Sequence, residues 1–235
     1  RPGSGARIGD RLTFPFIEGV PAPAWAEAAS HAAASIPAGG AAAVERLVEG
    51  ERALVLVESI LPPVHLLLVG AERDAPPLAR LADELGWKVT VVEPREVERD
   101  ASALPARAVR VLAAPRELAA AVELSPRTAA VLATHRYLDD LAYLEPLLAA
   151  PLGYLALLGP VRRRERLLED LAKREPAAAR AAAERLRGPA GLDLGGRSPH
   201  EVALAIVAEI QATLHAADAR PLTTRASRDA RPATP

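Results

Sequence analysis

The sequence predicts an α/β protein, with a doubly wound (Rossmann-like) parallel sheet behind a small N-terminal α+β lobe. Five short apolar runs alternate with amphipathic helical patterns over most of the chain, which is typical of parallel strands joined by crossover helices. The first run, residues 64–69, leads through Gly70 into a helical pattern, and the second run ends in Glu93. This βαβ unit is the half-module that places phosphate at a helix N-terminus and ribose on an acid.

The first 61 residues differ from the rest, because prolines interrupt them repeatedly. We predict an alanine-rich helix at about 24–34, followed by a hairpin of residues 42–48 and 52–60 around Glu49-Gly50-Glu51. The proline pair Pro62-Pro63 stops regular structure on its N-terminal side. We therefore expect a small α+β lobe over residues 1–61 and the Rossmann-like domain over 62–216.

In the larger domain the periodicity predicts each element in turn. Strands are expected at 64–69, 88–92, 108–112, 128–133 and 154–158, and helices at 76–85, 116–122, 138–148, 162–173, 177–186 and 199–216. The last helix has a clear start, because Ser198 and Glu201 form a capping box around Pro199. Residues 217–235 have no apolar periodicity, and we expect a disordered tail there.

Composition narrows the range of functions. The 235-residue chain has a formal net charge of −1, so no overall field attracts nucleic acid. It contains no cysteine, which rules out disulfides and thiolate metal sites within it. No apolar run approaches the length that spans a bilayer. We expect a cytoplasmic protein that binds neither nucleic acid nor membrane.

The candidate site lies where the strands end, since ligands of doubly wound sheets bind beyond the carboxyl ends. The polar or glycine positions there are Gly70, Glu93, Arg95, Thr134, His135 and Gly159. His135 is the one histidine placed at such an end, which favours a site role over a core role. Glu93 is equally consistent with a ribose ligand and with an ordinary strand end.

Arginine occupies three successive positions, Arg162, Arg163 and Arg164, at the start of a predicted helix. Helix N-termini favour acids, so three arginines oppose the helix dipole. An anion-binding role and a solvated helix start are equally open. Asp139 and Asp140 we interpret as ordinary first-turn acids of the preceding helix.

Four glycines surround Asp193 in the loop of residues 188–201. We favour a structural Asp193 that accepts hydrogen bonds from its own tight loop. The alternative is a functional carboxylate that faces the cleft at the strand ends.

Several motifs occur in a characteristic order. They are Val69-Gly70-Ala71 with Asp74-Ala75, Leu85-Gly86-Trp87 through Glu93-Pro94-Arg95, Ala133-Thr134-His135 with Asp139, Tyr154 through Gly159 with the arginine run, and Gly191-Leu192-Asp193-Leu194-Gly195 with Ser198-Pro199-His200-Glu201. Over about residues 62–211 this set resembles the xanthine dehydrogenase accessory family, XdhC/CoxI.

The resemblance implies an accessory protein, or chaperone, rather than an enzyme. Such proteins are thought to bind molybdenum cofactor (molybdopterin), assist its sulfuration and pass it to a molybdenum hydroxylase client of xanthine or carbon monoxide dehydrogenase type. A cysteine desulfurase and a second copy of the chain are further candidate partners. The cofactor-binding residues implied are Gly70, Arg73, Glu93, Arg95, Thr134, His135, Gly159, Arg162, Arg163, Arg164 and Asp193.

Two alternatives stay open. One is an NAD(P)-dependent oxidoreductase that uses His135 as acid and base. Glu72 argues against it, because this carboxylate stands where a second glycine would let the backbone approach a pyrophosphate. The other is a scaffold whose ligand site has decayed.

Overall fold

The computed structural model describes residues 36, 39–48, 51–70, 74–95 and 103–223. The chain divides into two units, Arg1–Pro62 and Pro63–Pro235. The predicted helix at 24–34, residues Glu72 and Arg73, and the end of the predicted tail at 224–235 lie outside the described residues. The domain limits at 61 and 216 and the disordered tail stay predictions.

The first unit contains a β-hairpin. Strand β1 (Ala41–Val48) pairs antiparallel with β2 (Glu51–Glu58), and Val48 lies opposite Glu51 at the closed end. This pairing agrees with the predicted hairpin. The two turn residues, 49 and 50, lie outside the described part of the chain.

The second unit is built on a six-stranded sheet in which every pairing is parallel. Its strands are β3 (His65–Val69), β4 (Lys88–Glu93), β5 (Val109–Leu112), β6 (Thr128–Leu132), β7 (Tyr154–Leu157) and β8 (Leu186–Arg187). The order across the sheet is β5-β4-β3-β6-β7-β8. Numbered within the sheet this is 3-2-1-4-5-6, the order of the Rossmann fold. The predicted fold class is confirmed, and β3 is an inner strand as the βαβ unit predicts.

Helices connect the strands. They are α1 (Ala75–Glu84), a 3₁₀ turn (Pro115–Glu117) that continues into α2 (Leu118–Ala121), α3 (Tyr137–Ala149), α4 (Val161–Arg174), α5 (Pro176–Arg185) and α6 (Pro199–Leu214). The capping box of α6 is present: Glu201 N–H donates to the Ser198 hydroxyl, and the Glu201 carboxylate accepts from Ser198 N–H. No helix among the described residues is both long and apolar enough to cross a membrane.

The four inner strands, β3, β4, β6 and β7, are buried on both faces, so their successive residues enter two different cores. Leu67 and Val69 face the layer of α2 to α5, whereas Leu66 and Leu68 face α1 and α6. Continuous apolar strands are typical of parallel sheets that are covered on both sides. This arrangement leaves the edge formed by the carboxyl ends of the strands as the place where loops and side chains converge.

The last strand differs from the sequence prediction. The periodicity places Leu186 at the end of a helix over 177–186, but α5 stops at Arg185 and Leu186 pairs with Leu155 of β7. A strand of two residues has no alternation of its own, so periodicity cannot reveal it. Tertiary contacts stabilise β8, among them a hydrogen bond from Arg164 Nε to the Leu186 carbonyl at 2.7 Å.

Candidate functional site

The centre of the candidate site is the switch point of the sheet, where β3 and β6 lie side by side and the chain winds away in opposite directions. Gly70 directly follows β3 and has a φ of 93°. A Cβ at this position would lie 2.7 Å from both the Ala133 carbonyl oxygen and the Thr134 Cα. Only glycine suits such a close approach and backbone angle. The loops after β3 and β6 are therefore in direct contact.

His135 follows Thr134 and has an unusual backbone conformation. Its φ is 55°, which is rare for a residue with a side chain. The imidazole is 43% exposed, and its Nε2 lies 3.4 Å from the Asp74 carboxylate at the start of α1. Asp74 makes no side-chain capping bond to its own helix. The pair connects the N-terminus of α1 to the loop after β6.

A buried ionic network lies beneath His135. Asp140 is fully buried, and its Oδ1 accepts the Thr134 hydroxyl at 2.5 Å. Its Oδ2 accepts Arg163 Nε at 2.8 Å and Nη2 at 2.5 Å. The Arg163 side chain is only 20% exposed. Asp140 thus does not act as the ordinary first-turn acid expected from the sequence, because its carboxylate bonds to side chains from two other segments.

Nearer to solvent, the Asp139 carboxylate forms ion pairs with two arginines. Asp139 Oδ2 lies 3.1 Å from Arg136 Nε and 3.6 Å from Arg95 Nη2. The two arginine side chains are 60% and 47% exposed. They come from the loops after β6 and β4, so the group spans the loops on both sides of β3. Its net charge is positive.

Glu93 ends β4 and is buried. Arg110 on the neighbouring strand β5 donates to Glu93 Oε2 at 2.9 Å. The carboxylate predicted to be either a ribose ligand or a strand end therefore has a cationic partner within the sheet.

The arginine run divides by position. Arg163 bonds to Asp140, and Arg164 donates to the carbonyls of Leu186 and Ala183 at 2.7 and 2.9 Å. Arg162 is exposed and makes no hydrogen bond or ion pair with the described residues. Gly159 lies against the Arg163 side chain, whose Cδ would be 3.0 Å from a Cβ added there. Of the three arginines, Arg162 thus has the most accessible guanidinium.

The backbone of the loop before α6 donates hydrogen bonds to Glu201 and Glu209, and not to Asp193 as predicted. Asp193 is exposed and accepts no hydrogen bond from the described residues, so the prediction of a self-bonded Asp193 turn is wrong. Instead, the buried Glu209 carboxylate accepts Gly191 N–H at 2.8 Å. At the other end of the loop, Glu201 accepts from the backbone N–H groups of Arg197 and Ser198. Those hydrogen bonds, from Ser198 first, lower the pKa of Glu201.

Glu209 completes a second buried network. It also accepts the Tyr154 hydroxyl at 2.6 Å and Arg187 Nη1 at 2.9 Å. Burial, together with this bond to Glu209, raises the pKa of Tyr154. The network joins β7, β8 and α6 below the loop, and it has a structural role.

A cleft of about 590 Å³ lies at the β8 side of the sheet, away from the switch point. It is lined by the start of β7 and the end of α5, and by Arg164 and Arg187. These two arginines bond to backbone carbonyls and to Glu209 respectively. The cleft has polar lining, but it lies beside the start of β7 rather than at the carboxyl ends of the inner strands. The strand ends are therefore the better candidate.

The predicted site residues are thus partly brought together. Four of them, Gly70, Thr134, His135 and Arg163, meet at the switch point. Glu93 and Arg95 lie at the end of β4, whereas Arg164 bonds to backbone carbonyls of α5 and β8. Sequence reasoning missed five members of the constellation: Asp74, Arg110, Arg136, Asp139 and Asp140. No three His, Asp or Glu side chains in the described ranges could hold a metal ion together.

Comparison with known proteins places the chain among relatives of the same kind. The XdhC Rossmann domain family matches residues 66–210. A protein of Bacillus subtilis named as a probable xanthine dehydrogenase component is 33% identical over 156 residues, which cover 66% of this chain and 44% of that protein. An uncharacterized Escherichia coli protein, YqeB, is 28% identical over 62% of this chain and 26% of its own length.

Among solved structures, a xanthine dehydrogenase from Bacillus halodurans superposes with a TM-score of 0.57 at 25% identity. The match covers 69% of this chain and 45% of that one. The chain spans less than half the length of these relatives. The matched region begins in β3 and ends in α6, so it includes the whole switch-point constellation. The chain therefore belongs to the XdhC Rossmann domain family.

Proposed function

We propose that the chain binds molybdenum cofactor at the carboxyl edge of its sheet, as an accessory protein in the maturation of a molybdenum hydroxylase. The client is an enzyme of xanthine or carbon monoxide dehydrogenase type. Support comes from family membership and from two relatives that carry the name xanthine dehydrogenase. The chain's part is to bind the cofactor and aid its insertion into the client.

The observation that carries the proposal is the sharing of Asp139 by Arg95 and Arg136. One carboxylate balances only one of the two guanidiniums. A phosphate oxygen can replace Asp139 as acceptor or join it, and guanidinium binds phosphate in a bidentate, charge-assisted geometry. Molybdopterin carries a phosphate or a dinucleotide tail, so the donor chemistry of this group fits the cofactor. Arg162 adds a further exposed cation at the same edge.

The polar groups around His135 suit the pterin part. Asp74 offers hydrogen-bond acceptors, and the imidazole can donate or accept according to its tautomer. A pterin has both donors and acceptors along one edge. When bound, the cofactor would supply the metal and its sulfur ligands, while the chain's residues hold and orient its organic part.

The proposal can be tested by purifying the chain from a host that makes molybdopterin. Oxidation of a bound cofactor releases a fluorescent pterin derivative, which can be quantified per mole of protein. We expect near-stoichiometric pterin, and its loss from an Arg95→Gln/Arg136→Gln variant. Protein free of pterin, prepared from a host with ample cofactor, would contradict the proposal.

The second candidate function is an NAD(P)-dependent oxidoreductase with His135 as acid and base. The Rossmann strand order and an acid at the end of β4 favour it. The ion pair of Glu93 with Arg110 weighs against it, because a ribose would compete with a guanidinium for that carboxylate. Micromolar binding of NADH in calorimetry, with turnover that His135→Ala abolishes, would favour the oxidoreductase. A cysteine desulfurase, a second copy of the chain and a cytoplasmic location stay predictions.

A further inference from the structure

The residue after Thr134 has a left-handed backbone conformation, which is uncommon for any residue with a side chain. His135 lies at a φ of 55°, and its imidazole is thereby directed to Asp74 across the switch point. A residue with a Cβ keeps such a conformation only where the surrounding structure fixes it.

Two segments hold the backbone on either side of His135. On one side, the Thr134 hydroxyl oxygen accepts Arg136 N–H at 3.1 Å, which closes a tight turn around His135. On the other side, Arg163 Nη1 lies 3.5 Å from the His135 carbonyl oxygen, a long contact at the limit of a hydrogen bond. His135 is thus bracketed by a hydroxyl and a guanidinium.

Both brackets depend on one buried carboxylate. The Thr134 hydroxyl has a single hydrogen, and the Asp140 carboxylate at 2.5 Å is a stronger acceptor than the Arg136 carbonyl at 2.9 Å. With that hydrogen engaged, the hydroxyl oxygen faces Arg136 N–H as an acceptor. The other Asp140 oxygen fixes two nitrogens of Arg163.

We propose that Asp140 is a positioning residue for His135: it fixes Thr134 and Arg163, and through them sets the backbone that presents the imidazole to the ligand. Arg163 then acts within the fold, and the phosphate of the ligand is left to Arg95, Arg136 and Arg162. The inference rests on the proposed function for the identity of the ligand, but the conformation of His135 can be measured without one.

The test compares Asp140→Asn with Asp170→Asn. Asp170 is a suitable control, because its carboxylate on α4 also binds a hydroxyl and a cation, those of Tyr137 and Lys173. The first readout is the backbone chemical shifts and the HN–Hα coupling of His135 in labelled, ligand-free protein. The second is the affinity for molybdopterin by calorimetry. We expect Asp140→Asn to move the His135 signals away from the left-handed values and to weaken binding by about tenfold or more, as for a lost charged hydrogen bond. The control should change neither.

A folded Asp140→Asn protein with unchanged His135 signals would overturn the inference. If that variant does not fold, Thr134→Val and Thr134→Ser replace it, since serine keeps the bridging hydroxyl and valine removes it at similar volume. If Asp140 positions His135 through Thr134, the valine variant should lose the left-handed His135 conformation and the serine variant should keep it. Equal His135 spectra in the two variants would contradict the positioning role. Changed His135 signals in a protein that never binds molybdopterin would uphold the positioning role and overturn the proposed function.

Discussion

Gly70 and Thr134 touch across the switch point: a Cβ on Gly70 would lie 2.7 Å from the Thr134 Cα. The contact joins the ends of the two strands from which the chain winds in opposite directions. A ligand at this edge would therefore lie above the contact between Gly70, which follows β3, and the loop after β6 that carries His135. Because Gly70 has no side chain, the backbone that follows β3 can pack directly against the backbone of Thr134.

The first prediction concerns this contact. Gly70→Ala adds a methyl group against backbone atoms and places alanine at a positive φ. Gly86→Ala is the matched control, because its φ is 74° but nothing lies within 4 Å of an added Cβ. We expect a loss of about 1–2 kcal/mol in the control from the backbone angle alone. Gly70→Ala should cost about 1–3 kcal/mol more from overpacking. Equal losses in denaturant unfolding would show that the close contact carries no energy.

The second prediction concerns pH. His65 is buried between Thr90 and Thr128, with its Nε2 2.9 Å from the Thr90 hydroxyl. Burial first, and then repulsion by Lys88, lower the pKa of His65 from 6.5 to about 4, although Glu123 opposes the shift. The unfolded chain therefore takes up the proton first as the pH falls, and the free energy of unfolding declines between pH 6.5 and about 4 and then levels.

The size of this decline is at most about 3.5 kcal/mol, since each pKa unit corresponds to about 1.4 kcal/mol. His65→Gln cannot titrate, so the difference between the two proteins isolates the histidine. Urea unfolding at several pH values measures it. Parallel curves for the two proteins would contradict the assignment.

The third prediction concerns the network beneath the loop of Asp193. Tyr154→Phe removes a buried hydroxyl from Glu209 and should cost about 1.5–3 kcal/mol, as for a hydrogen bond to a charged group. Tyr137→Phe is the control, because its hydroxyl donates to the Asp170 carboxylate at 2.7 Å but lies nearer to solvent. We expect the control to lose less than about 1 kcal/mol. A larger loss in the control would place the stabilising network elsewhere.

The fourth prediction concerns the start of α6. Ser198→Ala removes the acceptor for Glu201 N–H and should lower the free energy of unfolding by about 1 kcal/mol. Ser198→Asp keeps an acceptor and should retain most of the stability. Thermal unfolding of the two variants beside the native sequence decides this, and equal midpoints for Ala and Asp would exclude a capping role.

Much of the fold could be predicted from the sequence, because fully buried parallel strands are apolar throughout and their helices are amphipathic. The position of β3 and the capping box of α6 followed from such local signals. The strand β8 could not, because pairing of only Leu186 and Arg187 with β7 is a tertiary event.

The site was harder to predict than the fold, since its side chains meet through space. Thr134 and Asp140 are six residues apart and belong to one loop and helix, yet Asp140 has the same pattern as a common first-turn acid. Only burial distinguishes the two roles. Asp193 shows the opposite error. The glycines indicated a turn closed by Asp193, but the backbone N–H groups of this loop donate to two carboxylates of α6 instead.

The most direct test of the central claim is a calorimetric titration of the chain with molybdopterin. It compares the native sequence with Arg95→Gln/Arg136→Gln and with Arg107→Gln, a control arginine that pairs with Asp83 at the end of α1. Loss of charge-assisted bonds worth about 1.5–3 kcal/mol should weaken binding by the double variant at least about tenfold, while the control binds as the native chain does. Equal affinity in all three proteins, or no binding by the native chain, would contradict cofactor binding at this edge.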